Sequence, residues 1–422
     1  MRELGTLLNL GLGEVAHAQP RVLICGDADF SYARALADSV GAAAHITATS
    51  YEPELELFQR YPSAPDAVER LRSGGVHVGH GVDARQLAQH FEAETWERIV
   101  FNLPQSPPTP RQRNQIQRHR ALLRDFCASA ASVLSPRGQI WITLLSGQGG
   151  TPLDPVQRVK GDTWQIQHEA SRAGLLVTSV TPADLEGLQA CGYNPTGRGY
   201  RGKGSLGPHR QSQGLVVHVL EREVDRELDK EIRGVSQLEW AFDNSFWVDG
   251  PVLDEAALLS VARDAIGQIA AHALNAPPEL LDEYTNEEGR DSRTYRFFYA
   301  SDTIALSRER TLQLNAKVCE ALAKGGGAVP RHPSAEACAA VREAGDIPSK
   351  VGVSESADGL APDGSAPGDS APGDSAPGDS APGDSAPGDS APNDSPEDHG
   401  AAGATGADTR APPSCGGRWR QP

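Results

Sequence analysis

Polar residues that could bind a ligand follow four short apolar runs in the first half of the 422-residue chain. The first run, RVLIC, leads into the loop GDADFS, whose glycine lets backbone N–H groups approach a ligand where a helix starts. The candidate residues are Gly26, Asp27, Asp29, Phe30 and Ser31 after the first run, Tyr51 and Glu52 after the second, Asp83 after the third, and Asn102 and Pro104 after the fourth.

Each of these positions has a chemical reason. Glu52 lies close to the distance along the chain at which an acidic residue on a second strand meets a ribose diol. Asp83 could accept a hydrogen bond from an adenine amino group. The run Asn102-Leu-Pro-Gln resembles the Asn-Pro-Pro-aromatic corner with which nitrogen-methylating enzymes hold the acceptor nitrogen. A helix cap or a solvated loop remains the alternative for each acidic residue taken alone.

The elements that must position these residues alternate along the chain. Strands are predicted at RVLIC, HITATSY, GVHVGHG, RIVFNLP and GQIWITLL, with helices over residues 31–40, 53–61 and 113–134 between them. Strands separated by helical lengths predict an α/β fold with a parallel, doubly wound sheet, and ligands bind such sheets at the carboxyl ends of the strands. A dinucleotide oxidoreductase is disfavoured because Ala28 and Ser31 replace the second and third glycines of G-x-G-x-x-G.

The charge of the chain is uneven, which limits where a nucleic acid could bind. The net charge of −17 falls almost entirely after residue 220, so an RNA footprint is expected before it. Two basic clusters there are candidates, although a solvated helix face and an ordinary surface loop are the alternatives. The candidate RNA-binding residues are Arg113 and Arg118 in the first cluster and Tyr200, Arg201 and Lys203 in the second.

Other classes of site are disfavoured. The six cysteines form no C-x-x-C pair, which argues against a disulfide framework and a zinc site, so no metal is expected. The N-terminal segment is only patchily apolar and carries Glu3 and Glu14, which makes it a poor signal peptide. No stretch is long and apolar enough to suggest a membrane span, and we expect an intracellular protein of the cytoplasm, nucleus or nucleolus.

The second half divides into a charged linker, a globular region and a repetitive tail. Residues 221–235 carry the charged run that begins at Glu221, and a smaller domain is expected over residues 236–326. Residues 327–422 contain repeats of Ser-Ala-Pro-Gly-Asp, whose side chains bury too little apolar surface to offset the entropy of ordering, so this tail is expected to be disordered and acidic. Residues 1–220 then form the first domain.

The first domain resembles the family of the 25S ribosomal RNA uridine-N3-methyltransferase. The similarity extends over about residues 20–220 and rests on GDADFSYARALA, TATSYEPELELFQRYPSA, GVDARQL, WERIVFNLPQ and GYNPTGRGYRGKGSLGPHRQSQGLVVHVL. It implies a Rossmann-like fold, S-adenosyl-L-methionine as methyl donor and an RNA uridine as acceptor, with ribosomal RNA as the partner. It also implies that the loop from Gly26 to Ser31, Tyr51, Glu52 and Asp83 bind the cofactor and that Asn102 and Pro104 act at the acceptor. Because N3 of uridine must lose a proton, Asp29 and Asp83 are the candidate carboxylates for that step, with service to the cofactor as the alternative for both.

Two motifs depart from the family pattern. The family loop usually reads Gly-Glu-Gly-Asp/Asn-Phe-Ser, so Asp27 and Ala28 replace Glu and Gly. The fourth motif usually ends Asn-Phe-Pro-His, where this chain has Leu103 and Gln105. Ala28 adds a methyl group where the backbone should approach the cofactor, and a glutamine cannot act as a base.

The second region resembles the ferredoxin-fold anticodon-binding domain at the end of phenylalanyl-tRNA synthetases. The similarity rests on NSFWVDGP, LLDEYTNEEGRDSRTYRFFYASD and ALSRERTLQLNAKVCEAL, with one helix expected from Glu255 to His272. It implies a β-α-β-β-α-β order and transfer RNA as a possible partner. Arg293 and Arg296 are then the candidate RNA contacts, although the acidic character of this region makes a protein-docking or structural role an open alternative.

Two functions from different classes remain. The first is an RNA base methyltransferase with an accessory RNA-binding domain. The second is a non-catalytic RNA-binding or assembly protein that retains a methyltransferase-like fold. Cofactor binding would separate the two.

Overall fold

The computed structural model describes eight stretches of the chain, and the features below refer to them: residues 20–40, 44–91, 95–106, 114–196, 214–223, 232–248, 254–324 and 328–331. The predicted charged linker lies partly outside these residues, and the predicted tail lies outside them except for residues 328–331, which include a strand. Both sheets described below lie in the compact unit that spans Met1–Gly345. The division into domains at residues 220, 236 and 326 stays a prediction.

The first half of the chain forms a seven-stranded sheet. Its strands are β1 (Arg21–Cys25), β2 (His45–Thr49), β3 (His77–Gly79), β4 (Trp96–Asn102), β5 (Leu134–Leu145), β6 (Leu175–Pro182) and β7 (Leu215–Arg222). The strand order is β3-β2-β1-β4-β5-β7-β6, in which the first five run parallel and β7 runs antiparallel to both neighbours. The order reverses direction at β1 and β4, so the predicted Rossmann-like α/β fold is confirmed.

Helices cover both faces of this sheet. They are α1 (Ser31–Val40), α2 (Glu54–Arg60), α3 (Ala64–Ser73), α4 (Leu87–His90), α5 (Gln115–Val133), α6 (Ile166–Ser171) and α7 (Leu185–Ala190), with 3-10 turns at Ala84–Gln86 and Lys160–Asp162. Leu36 and Leu71 pack in the cluster on one face, and Phe126 and Ile166 pack in the cluster on the other. A sheet buried on both faces requires continuous apolar strands, which explains RVLIC.

The second region forms a four-stranded antiparallel sheet with helices on one face. Its elements are β8 (Leu238–Val248), α8 (Glu255–Ile266), a 3-10 turn (Gly267–Ile269), α9 (Ala270–Ala273), β9 (Glu279–Thr285), β10 (Asp291–Ser301), α10 (Arg308–Lys324) and β11 (Ala328–Pro330). The strand order is β11-β8-β10-β9, and the predicted β-α-β-β-α-β sequence of elements is present. The single helix expected from Glu255 to His272 is wrong, because Gly267 adopts a φ of 63° that ends α8.

Hydrogen bonds and packed side chains join the small sheet to the large one. The Val235 N–H donates to the carbonyl oxygen of Val177 on β6 at 2.7 Å. Glu223, at the end of β7, accepts from Arg310 Nη1 at 2.7 Å. Gln167 Nε2 on α6 donates to the Ser236 carbonyl oxygen at 2.7 Å. Contacts from three elements of the large-sheet region therefore hold the small sheet.

Candidate functional site

The loop between β1 and α1 begins at a glycine that no other residue can replace without strain. Gly26 has a φ of 63°, and a Cβ built on it would lie 3.1 Å from Cε2 of Phe101. The left-handed conformation favours glycine, and the short distance leaves little space for a side chain. The loop therefore leaves the end of β1 with its backbone uncovered by a side chain.

Asp27 connects this loop to β2 and to α1. Its N–H donates to the Thr49 carbonyl oxygen at 2.9 Å, and its Oδ2 accepts from the Ala33 N–H at 2.7 Å. The side chain is buried, and desolvation, reinforced by the charge of Asp29, raises the pKa of Asp27 to about 7. A carboxyl group that titrates near neutral pH is unusual and is a recognised sign of a functional site.

Asp29 and Ser31 connect the loop to a distant segment of the chain. Asp29 Oδ1 accepts from the Ser31 hydroxyl at 2.6 Å and from the Ser31 N–H at 3.1 Å. Asp29 Oδ2 accepts from Asn194 Nδ2 at 3.3 Å, and the Asn194 N–H donates to Ser31 Oγ at 2.9 Å. Asn194 was not among the predicted site residues, although it lies in GYNPTGRGY, part of a segment that carries the resemblance.

Backbone strain is concentrated at the ends of β1 and β4. Phe30, with a φ of 58°, and Leu103, with a φ of 48°, are two of the four non-glycine residues with positive φ in the described part of the chain. Both side chains are buried, and the Phe30 ring lies 5.5 Å from that of His80 in an edge-to-face contact. Each such conformation costs on the order of 1 kcal/mol or more and persists only where the surrounding structure enforces it.

The predicted residues after β2 lie in two environments. Glu52 is buried, and its Oε1 lies 3.9 Å from Nε of Arg60. Tyr51 is exposed. Glu52 also accepts a hydrogen bond at its backbone oxygen from the Ser50 hydroxyl at 2.8 Å. A buried carboxylate with one distant cation is consistent with the predicted ribose contact, which stays a prediction.

Asp83 caps the 3-10 turn that follows β3. Its Oδ1 accepts from the Arg85 N–H at 2.9 Å, and its Oδ2 accepts from Arg85 Nη2 at 2.6 Å. These hydrogen bonds with the Arg85 side chain hold the pKa of Asp83 below its ordinary value. The capping of this turn accounts for an aspartate at position 83 even if no ligand binds there. The adenine contact stays a prediction.

Asn102 is held by its neighbour on the next strand. Thr143 Oγ1 donates to Asn102 Oδ1 at 2.6 Å, while Asn102 Nδ2 is buried and makes no well-formed hydrogen bond within the described residues. Pro104 is buried and Gln105 is partly exposed. Tyr32 lies beside the amide, and burial raises the pKa of its phenol.

A small cleft brings several of these groups together. With the solvent-open space at its mouth included, it spans about 260 Å³, and it is lined by Ile24, Cys25, Gly26, Asp27, Ala28, Asn102, Tyr193, Asn194 and Thr196. The ends of β1 and β4 thus share one cavity with the segment around Asn194. Among the described residues, Tyr51, Glu52 and Asp83 do not line this cleft. Ala28, the departure from the family loop, lies on its wall.

The segment after Asn102 is hydrogen-bonded to a buried histidine, His119. The Ser106 N–H donates to His119 Nδ1 at 3.2 Å, and the His119 ring stacks on Trp164 with centroids 4.2 Å apart. Desolvation, with a smaller effect of Arg118, lowers the pKa of His119 to about 4, so the ring is neutral at physiological pH. Ser106 Oγ is a second buried polar atom that has no partner among the described residues.

The candidate RNA-binding residues are divided between the two regions. Arg118 lies on α5, and Arg113, Tyr200, Arg201 and Lys203 lie outside the described residues. In the small sheet, Arg293 Nη2 lies 2.7 Å from Oε1 of Glu283. Arg296 donates twice to Asp243, at 2.7 and 2.8 Å. Both arginines of the small sheet therefore already have carboxylate partners.

The described residues contain neither a candidate metal site nor a candidate membrane span. No group of three or more His, Cys, Asp or Glu side chains in the described stretches is arranged to hold a metal ion. None of the helices that the structure describes has the length and apolar character to cross a membrane.

Comparisons with known proteins agree with both resemblances. A family model described as rRNA (uridine-N3-)-methyltransferase BTM5-like matches residues 23–193. The ferredoxin-fold anticodon-binding domain-containing protein 1 homolog of Mus musculus is 34% identical over 191 residues, which are 44% of this chain and 30% of the relative. Its counterpart in Homo sapiens is 32% identical over 194 residues, which are 45% of this chain and 30% of the relative. The chain thus spans under a third of the length of these relatives. The two resemblances are confirmed.

Solved structures with some likeness include TrmN and an O-methyltransferase. TrmN from Thermus thermophilus has 17% identity and a TM-score of 0.30 over 51% of this chain and 48% of its own. An O-methyltransferase of Brevibacillus brevis, solved with S-adenosyl-L-homocysteine, has 9% identity and a TM-score of 0.30 over 52% of this chain and 73% of its own. At TM-scores this low, the fold assignment rests on the strand order of the sheet itself.

Proposed function

We propose that the chain is an S-adenosyl-L-methionine-dependent RNA base methyltransferase that acts on N3 of a uridine, with ribosomal RNA as its substrate. The observation that carries the proposal is the cleft at the carboxyl ends of β1 and β4. There Gly26, Asp27 and Asn102 converge within the segment that matches the methyltransferase family model. In open α/β sheets, ligands bind at this edge where the strand order reverses.

The residues of the cleft suit the cofactor chemically. S-adenosyl-L-methionine supplies an electrophilic methyl group on a positively charged sulfur. Gly26 leaves the backbone uncovered at the end of β1, and the buried carboxyl of Asp27 offers a negative charge to a cation. Asp29 and Ser31 hold the loop against Asn194 on the opposite wall. Glu52 and Asp83 are proposed to contact the nucleoside part, outside the cleft proper.

On the acceptor side, the proposal assigns positioning to Asn102, Pro104 and the segment that follows. Both oxygens of Asp29 accept hydrogen bonds within the protein, so the loop-holding role suits it better than removal of the N3 proton. Alignment of the nucleophile with the methyl carbon can supply most of the rate in such a transfer, on the order of 7–11 kcal/mol. The base must be unpaired or flipped out to enter the cleft.

The alternative function is a non-catalytic RNA-binding or assembly protein. The replacement of the family's glycine by Ala28 on the cleft wall and of its histidine by Gln105 favours this alternative. For the small-sheet region we propose an accessory role, either binding transfer or ribosomal RNA or docking a protein. The pairing of Arg293 with Glu283 and of Arg296 with Asp243 favours docking.

Calorimetry and nucleoside analysis test the proposal together. The full chain is titrated with S-adenosyl-L-methionine and then incubated with it and in vitro transcribed large-subunit ribosomal RNA, whose nucleosides are separated by mass spectrometry. We expect saturable cofactor binding and 3-methyluridine. Cofactor binding without methylation of any base would support the alternative, and the absence of both would refute the enzyme assignment.

A further inference from the structure

Thr143 makes two contacts that hold Asn102, the residue proposed to position the acceptor, and the residue that follows it. It lies directly opposite Asn102 in the parallel register of β4 and β5. Its hydroxyl donates to Asn102 Oδ1 at 2.6 Å, and its carbonyl oxygen accepts from the Leu103 N–H at 2.8 Å. Thr143 is itself buried. The amide of Asn102 and the strained residue after it are thus both fixed by one residue of the neighbouring strand.

Asn102 lines the cleft, and this contact engages the oxygen end of its amide. Because Oδ1 receives the threonine hydrogen, the end of the amide left for another partner is Nδ2, a group with two N–H donors and no acceptor capacity. Nδ2 is buried and has no well-formed hydrogen bond in the described part of the chain. The Tyr32 phenol is its neighbouring polar group, which leaves at least one N–H for a ligand. A buried donor without a partner is costly, so an acceptor atom is expected to occupy this position in the complex.

The chemistry of a nucleobase edge decides which base can supply that acceptor. A ring nitrogen flanked by carbonyl oxygens, as in the imide edge of uracil, offers acceptors on both sides. Cytosine and adenine instead place an amino donor beside the ring nitrogen. An amino group facing Nδ2 would pair two donors, whereas a carbonyl oxygen would accept from Nδ2. Once the imide loses its proton, negative charge spreads onto the carbonyl oxygens, and the same donor stabilises it.

We propose that Thr143 is a positioning residue that makes Asn102 a hydrogen-bond donor, and that this contact selects a base with an imide edge over a base with an amino group. The inference rests on the proposed function and deepens it. Thr143 does not touch the base and acts through Asn102. Selectivity between uracil and cytosine would then depend on a residue of β5 that belongs to none of the motifs that carry the resemblance.

Binding of free nucleotides provides a test that does not require turnover. Saturation-transfer NMR compares uridine 5′-monophosphate with cytidine 5′-monophosphate on the full chain without methyl donor. We expect the wild type to prefer the uridine nucleotide about tenfold, the size of one well-formed hydrogen bond. Thr143→Val is expected to lose this preference because the amide can then rotate, while Thr143→Ser retains most of it. Thr178→Val on β6, where the hydroxyl donates to Glu221 Oε1 at 2.9 Å, is the matched control and should leave the preference intact.

A second variant keeps the inference testable if Thr143→Val does not fold. Asn102→Asp has the same shape but offers no N–H, and it should reverse the preference toward the cytidine nucleotide. Retention of the uridine preference in either Thr143→Val or Asn102→Asp would overturn the inference, as would a wild type that prefers the cytidine nucleotide or binds neither. Failure of the proposed function gives a different result, because it would remove cofactor binding and methylation in the wild type and leave the nucleotide preference unaffected.

Discussion

Polar groups at the carboxyl edge of the large sheet differ from those on the small sheet in their burial and in whether they have hydrogen-bond partners. At the edge of the large sheet, Asp27 and Asn102 Nδ2 are buried, and the amide nitrogen lacks a well-formed partner. On the small sheet, Arg296 is partly exposed to solvent and forms two hydrogen bonds with Asp243. The first region retains unused hydrogen-bonding capacity in a low-dielectric setting, where a ligand gains most. In the second region, the two candidate RNA-binding arginines are already paired with carboxylates.

The two regions also differ in which residues adopt positive φ angles. Gly26, Phe30 and Leu103 adopt positive φ angles at the ends of β1 and β4. In the small sheet, the described residues with positive φ are Gly267 and Gly289, both glycines in turns. Strain held in buried non-glycine residues points to a site that is built for binding, whereas relaxed strands point to a scaffold. Four experiments test this contrast.

The largest effect is expected from Gly26→Ala. The added methyl group would meet the Phe101 ring at 3.1 Å in a left-handed conformation, so the loop must shift. Methyl-transfer kcat/KM should fall by about a hundredfold, the order expected for a displacement of about 1 Å. Gly75→Ala is the matched control, because Gly75 has a φ of 82° with no atom within 4 Å of the built Cβ. If both variants lose activity equally, backbone strain alone explains the loss, and the result contradicts a specific role of Gly26 in the cleft.

Asp29→Ala comes next in size. It removes the acceptor of the Ser31 hydroxyl and of Asn194 Nδ2, so the two walls of the cleft separate. Lost hydrogen bonds to a charged group cost about 2 kcal/mol, which corresponds to about thirtyfold weaker cofactor binding in calorimetry. Asp254→Ala, which removes a helix cap 2.7 Å from the Ala257 N–H, should lower the free energy of unfolding by about 1 kcal/mol without changing cofactor affinity. Equal cofactor affinity in both variants would contradict the assigned role.

The third effect is a pH dependence centred on Asp27. Its pKa is raised by burial from 3.8 to about 7, so the folded protein retains this proton after the unfolded chain has lost it. The contribution of Asp27 to stability is therefore greatest below pH 3.8 and is lost as the pH rises to 7. The ionised form attracts a cationic cofactor, so affinity for S-adenosyl-L-methionine should rise about tenfold from pH 6 to pH 8. Asp27→Asn should flatten the profile, and a wild-type profile flat over this range would show that this carboxyl does not face the cation.

The smallest effect is expected on the small sheet. Arg296→Ala removes an exposed side chain that is already paired with Asp243, so RNA affinity should change by no more than about twofold in a filter-binding assay. Asp243→Ala releases the guanidinium, and a rise in RNA affinity that exceeds the twofold range would show that the pair hides a cationic site. A large loss in Arg296→Ala would instead restore the RNA-contact prediction and weaken the contrast between the two regions.

The sequence predicted the core of the large sheet well because its central strands are continuous apolar runs separated by helical lengths. The helix from Ser31 to Val40 and the strand RVLIC agree with the structure to the residue. The antiparallel insertion of β7 between β5 and β6 was not predicted, since periodicity does not determine the direction of a strand. The break at Gly267 was missed because one glycine can also lie inside a helix.

The candidate site was predicted in part. Local motifs identified Gly26, Asp27 and Asn102, which share the cleft. Asn194 and Thr143 were missed because their roles depend on contacts between residues far apart in sequence, which only the fold creates. The sequence left open whether Asp83 caps a turn, and it did not show the ion pair of Arg293. A sequence shows a charged residue but not the partner of that residue.

The hydrogen bond from Val235 to Val177 has a practical consequence. β6 is the last strand of the large sheet, and the segment before β8 covers part of its outer edge. Ile232 and Ala305 pack with Leu176 on the same strand. A truncated protein that stops after β7 would uncover this edge, and uncovered edges recruit strands from other molecules. Attempts to produce the large-sheet region alone should therefore yield aggregates, and separation of the two regions would require polar substitutions on β6.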